Sequence, residues 1–224
     1  MAVYTEVSEE ELDAFVAGYD IGGVLSLKGI AEGVENSNYL LHTERGFYIL
    51  TLYEKRVDEA ELPFFLGLLE HLAVKGVTCP QPVKNRQGGA LGVLAGRPAA
   101  IVTFLDGMWI RKPDARQCAA VGEALAKLHR AGADFPMRRQ NALSLDGWTR
   151  LFESVHARAD HVVPDLSAAI DAELAHLHAV WPQGLPSGVI HADLFPDNVF
   201  FLGGKLSGLI DFYFACTDAF AYDL

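Results

Sequence analysis

The spacing of apolar residues changes period along the chain, and each change predicts an element. Ser8 and Glu11 make a capping-box pattern, after which Leu12, Phe15, Val16 and Tyr19 recur on one helical face. Three strand-like runs follow, Val24 to Ala31, Asn38 to His42 and Phe47 to Tyr53, separated by turns at Gly33 to Asn36 and Thr43 to Gly46. Consecutive strands with short connections predict an antiparallel meander. From Asp58 to Lys75 the period is helical again, with Phe64, Phe65, Leu68, Leu69 and Leu72 as core and Gly76 as the stop. Cys79-Pro-Gln-Pro82 then forces an extended connection.

Two more strands, about Ala90 to Leu94 and Pro98 to Leu105, complete a sheet-rich first half. Beyond Gly107 the pattern turns helical. Asp114 with Gln117 can cap a helix carrying Val121, Leu125 and Leu128, and a later helix carries Ile170, Leu174, Leu177 and Trp181. The expected fold class is therefore α+β in two lobes, residues 1–106 and 107–224, the second keeping a small strand pair near its end. A cleft between lobes is a common place for a small-molecule site.

Composition narrows the partners. Half of the 224 residues are hydrophobic, enough for a substantial core, and 18 Lys plus Arg against 29 Asp plus Glu give a formal charge of −11. Such a balance argues against an extended nucleic-acid or anionic-membrane surface. The longest uncharged apolar run, Pro98 to Leu105, is too short to span a bilayer, and the acidic Met1 to Glu11 segment does not read as a secretory signal, so a cytoplasmic location is expected. Cys79, Cys118 and Cys216 fit neither a disulfide framework nor a zinc knuckle and read as small buried hydrophobes.

Candidate chemistry concentrates in the stretch VIHADLFPDNVFFLGGKLSGLID, Val189 to Asp211. Asp193 opens a Pro-containing loop, Asn198 follows, and Asp211 ends the next apolar strand, an order that suits one base and two magnesium ligands for phosphoryl transfer. A carboxylate beside an acceptor hydroxyl orients it and takes its proton, while Asn and Asp offer the hard oxygens Mg²⁺ prefers. The same residues would also serve as a polar turn between buried strands, with Asp and Asn satisfying backbone donors. Their position at the ends of apolar, β-branched or aromatic runs favours chemistry, because sites collect there. His191 is expected to hold the loop, and Asp197 to stabilise a turn or lie exposed.

The HADLFPDNVFF stretch followed by LIDF resembles the catalytic and metal motifs of the aminoglycoside-phosphotransferase-like kinases, distant relatives of protein kinases. GVENSNYLL at Gly33 to Leu41, YILTLYEKR at Tyr48 to Arg56 and ELPFFLGLLEHLA at Glu61 to Ala73 bring the likeness closer to the homoserine kinases of that fold, along the whole chain. The resemblance implies a two-lobed protein-kinase-like fold, ATP and Mg²⁺ as cofactors, and transfer of the γ-phosphate to the side-chain hydroxyl of L-homoserine in threonine biosynthesis. It implies Asp193 as the catalytic aspartate, Asn198 and Asp211 as magnesium ligands, and the Gly33 to Asn38 turn as the phosphate-covering loop. Gly33 would permit close backbone approach, with Ser37 and Asn38 offering donors; taken alone, that turn also suits an ordinary hairpin. Backbone groups of Thr103 and Leu105 would meet adenine.

Two departures stand out. Thr51 occupies the third-strand position where the wider fold carries a phosphate-contacting lysine, which leaves Lys55 or Lys28 as substitutes and Glu61, rather than a solvent-facing Glu70, as the helix glutamate. After Asp218 and Asp223, which match acidic positions that brace the catalytic loop, family members continue into further helices, so an exposed apolar surface is expected near Leu224. An acceptor such as choline, an aminosugar or an aminoglycoside, or a non-catalytic nucleotide-binding role, remains the alternative. His176 and His178 lack a zinc-protease order, and His129 near a helix end is expected to cap carbonyls. Oligomeric state and the acceptor pocket are not legible.

Overall fold

The computed structural model describes residues 5–30, 36–54 and 58–224. Helix α1 (Glu9–Val16) begins at the reciprocal Ser8 and Glu11 capping box that the spacing predicts. It lies on a five-stranded antiparallel sheet of β1 (Val24–Gly29), β2 (Ser37–Thr43), β3 (Gly46–Leu52), β4 (Gly92–Leu94) and β5 (Arg97–Thr103), in the order β1-β2-β3-β5-β4. The first three strands form the expected meander.

The two-residue period of the strands sorts their side chains between faces. Tyr39, Leu41, Leu50, Leu52 and Ile101 join Leu12 and Val16 of α1 in one buried cluster. Ala100, Val102 and the partly buried Ile49 belong to a second cluster on the opposite face, centred on helix α2 (Leu62–Val74). All five apolar residues assigned to the core of α2 are buried there.

That second cluster continues into the C-terminal half, through Leu128 and Ala131 of α3 (Ala115–Ala131) to Val189, Val199 and Leu209. Helix α2 is thus the part of the first half that the second half grips. The chain crosses over at Phe104 to Gly107, where Gly107 has φ +139° and an added Cβ would lie 3.0 Å from the Phe201 carbonyl oxygen. Only glycine suits both constraints.

The second half contains β6 (Met108–Trp109), α4 (Leu145–Ala159), α5 (Leu166–Val180), β7 (Ser187–Ile190), β8 (Val199–Leu202), β9 (Lys205–Leu209) and β10 (Cys216–Ala219). The single strand pair expected near the acidic motif is exceeded: β8 and β9 form a hairpin joined by β6, and β7 pairs separately with β10. Asp114 and Gln117 make the predicted capping box of α3. Helix α4, which the apolar pattern does not announce, packs on α5, with Trp148 meeting Trp181 edge-on at 5.7 Å.

Cys79 and Cys216 are buried as expected, and burial pushes both thiols up to about 12. Cys118 is exposed, contrary to that reading, because it sits on the outer face of α3. Among the described residues no helix is long and apolar enough to cross a membrane.

The central place of α2 has a measurable consequence. Leu68→Ala, at a fully buried position, should cost about 2–5 kcal/mol in urea unfolding with an unchanged m-value. Val74→Ala, at a position 81% exposed on the same helix, should stay within about 0.5 kcal/mol.

Candidate active site

Strand β7 carries the chain toward the candidate catalytic loop, its last rung being Ile190 opposite Cys216 on β10. Beyond it the backbone passes through Ala192 at φ +63°, a left-handed conformation that costs a non-glycine residue of order 1–2 kcal/mol. Asp223 offsets that strain. Its fully buried carboxylate accepts the amides of His191 at 3.0 Å and Ala192 at 2.7 Å, and His129 Nε2 lies 2.7 Å away.

Burial alone would raise the Asp223 carboxyl, but hydrogen bonds from His129, Ala192 and His191 outweigh it and hold the group below its ordinary value. His129 does not cap its own helix as expected. It turns to Asp223 and stacks on Phe220, with ring centroids 4.4 Å apart.

His191 does hold the loop, and the geometry says how. Its imidazole is fully buried; Nδ1 accepts the Asp193 amide at 3.3 Å and Nε2 donates to the Ile210 carbonyl at 2.9 Å. One ring nitrogen accepting and the other donating describes a neutral imidazole, and burial pushes its pKa below the ordinary 6.5. The ring therefore spans the segments that carry Asp193 and Asp211.

The Pro196–Asn198 turn brings Asn198 back onto Asp193. Asn198 Nδ2 donates to the Asp193 carbonyl at 2.7 Å and to its carboxylate at 2.9 Å, fixing the carboxylate's orientation. With the amide nitrogen so engaged, Oδ1 is the Asn198 atom suited to a hard cation. The Ile210 amide donates to the Asn198 carbonyl at 3.0 Å, which seats Asp211, itself at φ +61°, beside it.

Asp193, Asn198 and Asp211 line one cavity of about 590 Å³ together with Asn38, Thr51, Thr103 and Leu105. The structure thus gathers seven of the nine residues singled out from sequence. Of the other two, Gly33 lies outside the described residues, as does Lys55. Ser37 is a correction: the alternation of β2 turns it away from Asn38, and it is fully buried with its hydroxyl donating to Glu54 Oε1 at 2.6 Å. It cannot face a phosphate.

Of the two candidate cations only Lys28 lies among the described residues. Lys28, opposite Leu40 on β1, is exposed and does not line the cavity. Glu61 meets Arg139 at 2.8 Å, while Glu70 pairs with Lys84 at the surface, as expected of it. Arg139, which sequence reasoning missed, also donates to the Ala215 carbonyl at 3.2 Å and lies 5.0 Å from the centroid of the Phe65 ring. It ties the start of α2 to the segment that follows Asp211. Asp218 accepts from Asn141 Nδ2 at 2.7 Å, bracing β10 rather than the loop itself.

Among the described residues no group of three or more His, Cys, Asp or Glu is placed to hold a metal. The Asn198 amide oxygen and the Asp211 carboxylate nevertheless fit Mg²⁺, which keeps waters and substrate phosphates among its ligands and takes few from protein.

Comparison with known proteins gives the same direction. Residues 26–224 match the model of a family described as phosphotransferase enzymes. The chain is 67% identical over its full length to a protein named homoserine kinase from Chelativorans sp. (strain BNC1), of which it covers 70%. It is 68% identical to one of that name from Beijerinckia indica subsp. indica, again covering 70%. Among solved structures it is similar to a spectinomycin phosphotransferase bound to ADP and spectinomycin, with TM-score 0.74, 14% identity, and 98% of this chain and 73% of that one covered. An amicoumacin kinase in complex with AMP-PNP and Ca²⁺ gives TM-score 0.72 at 16% identity, covering 96% and 67% respectively. These structures share the fold, a protein-kinase-like α+β architecture.

The neutral state of His191 is open to measurement. A histidine whose folded pKa is depressed contributes stability in full above its unfolded value of 6.5 and loses it as pH falls below that value. At pH 6.5, where an ordinary imidazole is half protonated, the ring should still show a predominantly neutral, Nε2-protonated signature in nitrogen-15 imidazole spectra. The Asp223 contribution persists below that window and is lost only as pH falls through its own depressed value, under 3.8.

Proposed function

This chain belongs to the phosphotransferase enzyme family, and we propose that it transfers the γ-phosphoryl group of ATP to the side-chain hydroxyl of L-homoserine, yielding O-phosphohomoserine and ADP. The product would enter threonine biosynthesis. One observation carries this reading: Asp193, Asn198 and Asp211 share a cavity with Thr103 and Leu105, in a chain whose relatives named homoserine kinase match it from end to end.

Phosphoryl transfer asks little covalent chemistry of a protein and much alignment. In this reading Asp193, held by Asn198 and by the hydrogen bond its amide donates to His191 Nδ1, orients the homoserine hydroxyl and accepts its proton as the new P–O bond forms. Asn198 and Asp211 would hold Mg²⁺, which when bound compensates the charge of the β- and γ-phosphates. Thr103 gives its amide to the Gln81 carbonyl at 2.9 Å, so its carbonyl is the group offered to an adenine amine. The Leu105 amide would meet a ring nitrogen, and Asn38 the phosphates. Glu61 is engaged by Arg139, and that pair takes the place of a lysine-glutamate contact in fixing α2.

A cytoplasmic site of action accords with dependence on ATP and with three cysteines, all free thiols.

A coupled ADP-release assay with homoserine, serine, choline and kanamycin should give turnover with homoserine well above the other three. Turnover with choline or kanamycin alone would move the acceptor to another class. Asp193→Asn should lower kcat about a hundredfold or more while Mg·ATP binding in calorimetry stays near wild type.

A further inference from the structure

Three carboxylates line the cavity, and the kinase reading employs two of them. Asp193 serves the acceptor hydroxyl and Asp211 the metal, which leaves Asp197 without a task. Among the described residues that line the cavity none is Lys, Arg or His. A wall of that composition suits a cationic group on the acceptor.

Asp197 sits at the centre of the Pro196–Asn198 turn, four residues after Asp193. Two backbone hydrogen bonds wind this short segment, from the Phe195 amide to the Asp193 carbonyl at 2.9 Å and from the Asn198 amide to the Phe195 carbonyl at 3.0 Å. Asn198 closes it by donating to Asp193. Both carboxylates are thus carried on one tightly wound unit.

Asp197 is exposed, as one of its two expected roles requires. The other role, bracing the turn, would have its carboxylate accept a neighbouring backbone amide. Among the described residues no hydrogen bond or ion pair engages it. Nor does it join Asp193 and Asp211 as a metal cage, because among the described residues no group of three such side chains is placed to hold an ion. The carboxylate is independent of both the turn and the metal position.

L-homoserine carries its hydroxyl at one end of a short carbon chain and its ammonium near the other. With the hydroxyl at Asp193, an ammonium that stays beside the same turn has Asp197 as a charge-assisted acceptor. Phe195, 65% exposed and lining the same cavity, offers the intervening methylenes an apolar surface.

We propose that Asp197 determines acceptor specificity: its carboxylate receives the α-ammonium of the amino-acid acceptor while Asp193 receives the hydroxyl. The proposal rests on the kinase reading above and adds to it a partner for one of the two charges of homoserine. The competing role is that of a solvated turn residue with no part in binding.

Steady-state kinetics of the full chain with chemically trimmed acceptors separate the two roles. Asp197→Asn should raise KM for L-homoserine about tenfold or more, with kcat at saturating homoserine and KM for ATP changed less than about twofold. Asp197→Glu, which keeps the charge, should recover part of that loss. Inhibition by 4-hydroxybutyrate, which has the hydroxyl and carboxylate of homoserine but no ammonium, should be no weaker in Asp197→Asn than in wild-type protein. On wild-type protein, 3-aminopropan-1-ol should compete with homoserine about tenfold better than propan-1-ol, a comparison that decides the matter if Asp197→Asn does not fold.

An unchanged KM for homoserine in folded Asp197→Asn would overturn the proposal. So would equal losses for homoserine and 4-hydroxybutyrate, or equal competition by the two propanols. Wild-type protein that binds AMP-PNP but does not turn over homoserine would overturn the acceptor reading and this inference with it, whereas homoserine turnover that ignores Asp197→Asn would overturn the inference alone.

Discussion

The buried His191 imidazole is the contact on which the site depends. It joins the amide that begins the Asp193 loop to the carbonyl that precedes Asp211, across the β8–β9 hairpin that separates them in sequence. Its neutrality is a requirement of the geometry: a protonated ring could not accept from Asp193, and a charge at that depth would be costly. Asp223 completes the arrangement by binding the amides of His191 and Ala192, which stabilises a left-handed turn that an alanine would not choose. The carboxylate stays ionised because three donors surround it, and His129, from α3, supplies one of them.

A second set of contacts connects that loop to the first half of the chain. Glu61 at the start of α2 reaches Arg139, which holds the Ala215 carbonyl, and the Tyr213 hydroxyl lies 3.1 Å from that of Tyr53, just beyond β3. Both lead into the few residues after Asp211. The apolar cluster around α2 runs through the same region, so packing and polar contacts constrain one segment together. A shift of that segment would disturb the cavity wall at Phe212 and Tyr213 as well as the candidate metal ligand Asp211.

What sequence could reveal follows from the range of each interaction. The Ser8 and Asp114 caps, the meander and the core face of α2 depend on neighbours a few residues apart, and periodicity found them. Asp193, Asn198 and Asp211 were visible for the same reason, being set by one turn and one hairpin. Helix α4 escaped notice because its buried apolar side chains, Leu145, Phe152 and Ala159, recur only every seven residues, and Ser144 makes no side-chain cap. The partners of Asp223, Arg139 and Tyr213 lie 31 or more residues away in sequence, so no local pattern encodes them. Ser37 was misassigned because a strand turns adjacent residues to opposite faces, and its neighbour Asn38 took the cleft side.

The central claim is that the side chains gathered by His191 form a single metal and nucleotide site. Electron paramagnetic resonance of Mn²⁺, titrated in the presence of AMP-PNP, tests it most directly. Asp211→Asn should weaken Mn²⁺ binding about tenfold or more while metal-free nucleotide binding is kept. Mn²⁺ held as tightly by Asp211→Asn as by wild-type protein would contradict the account.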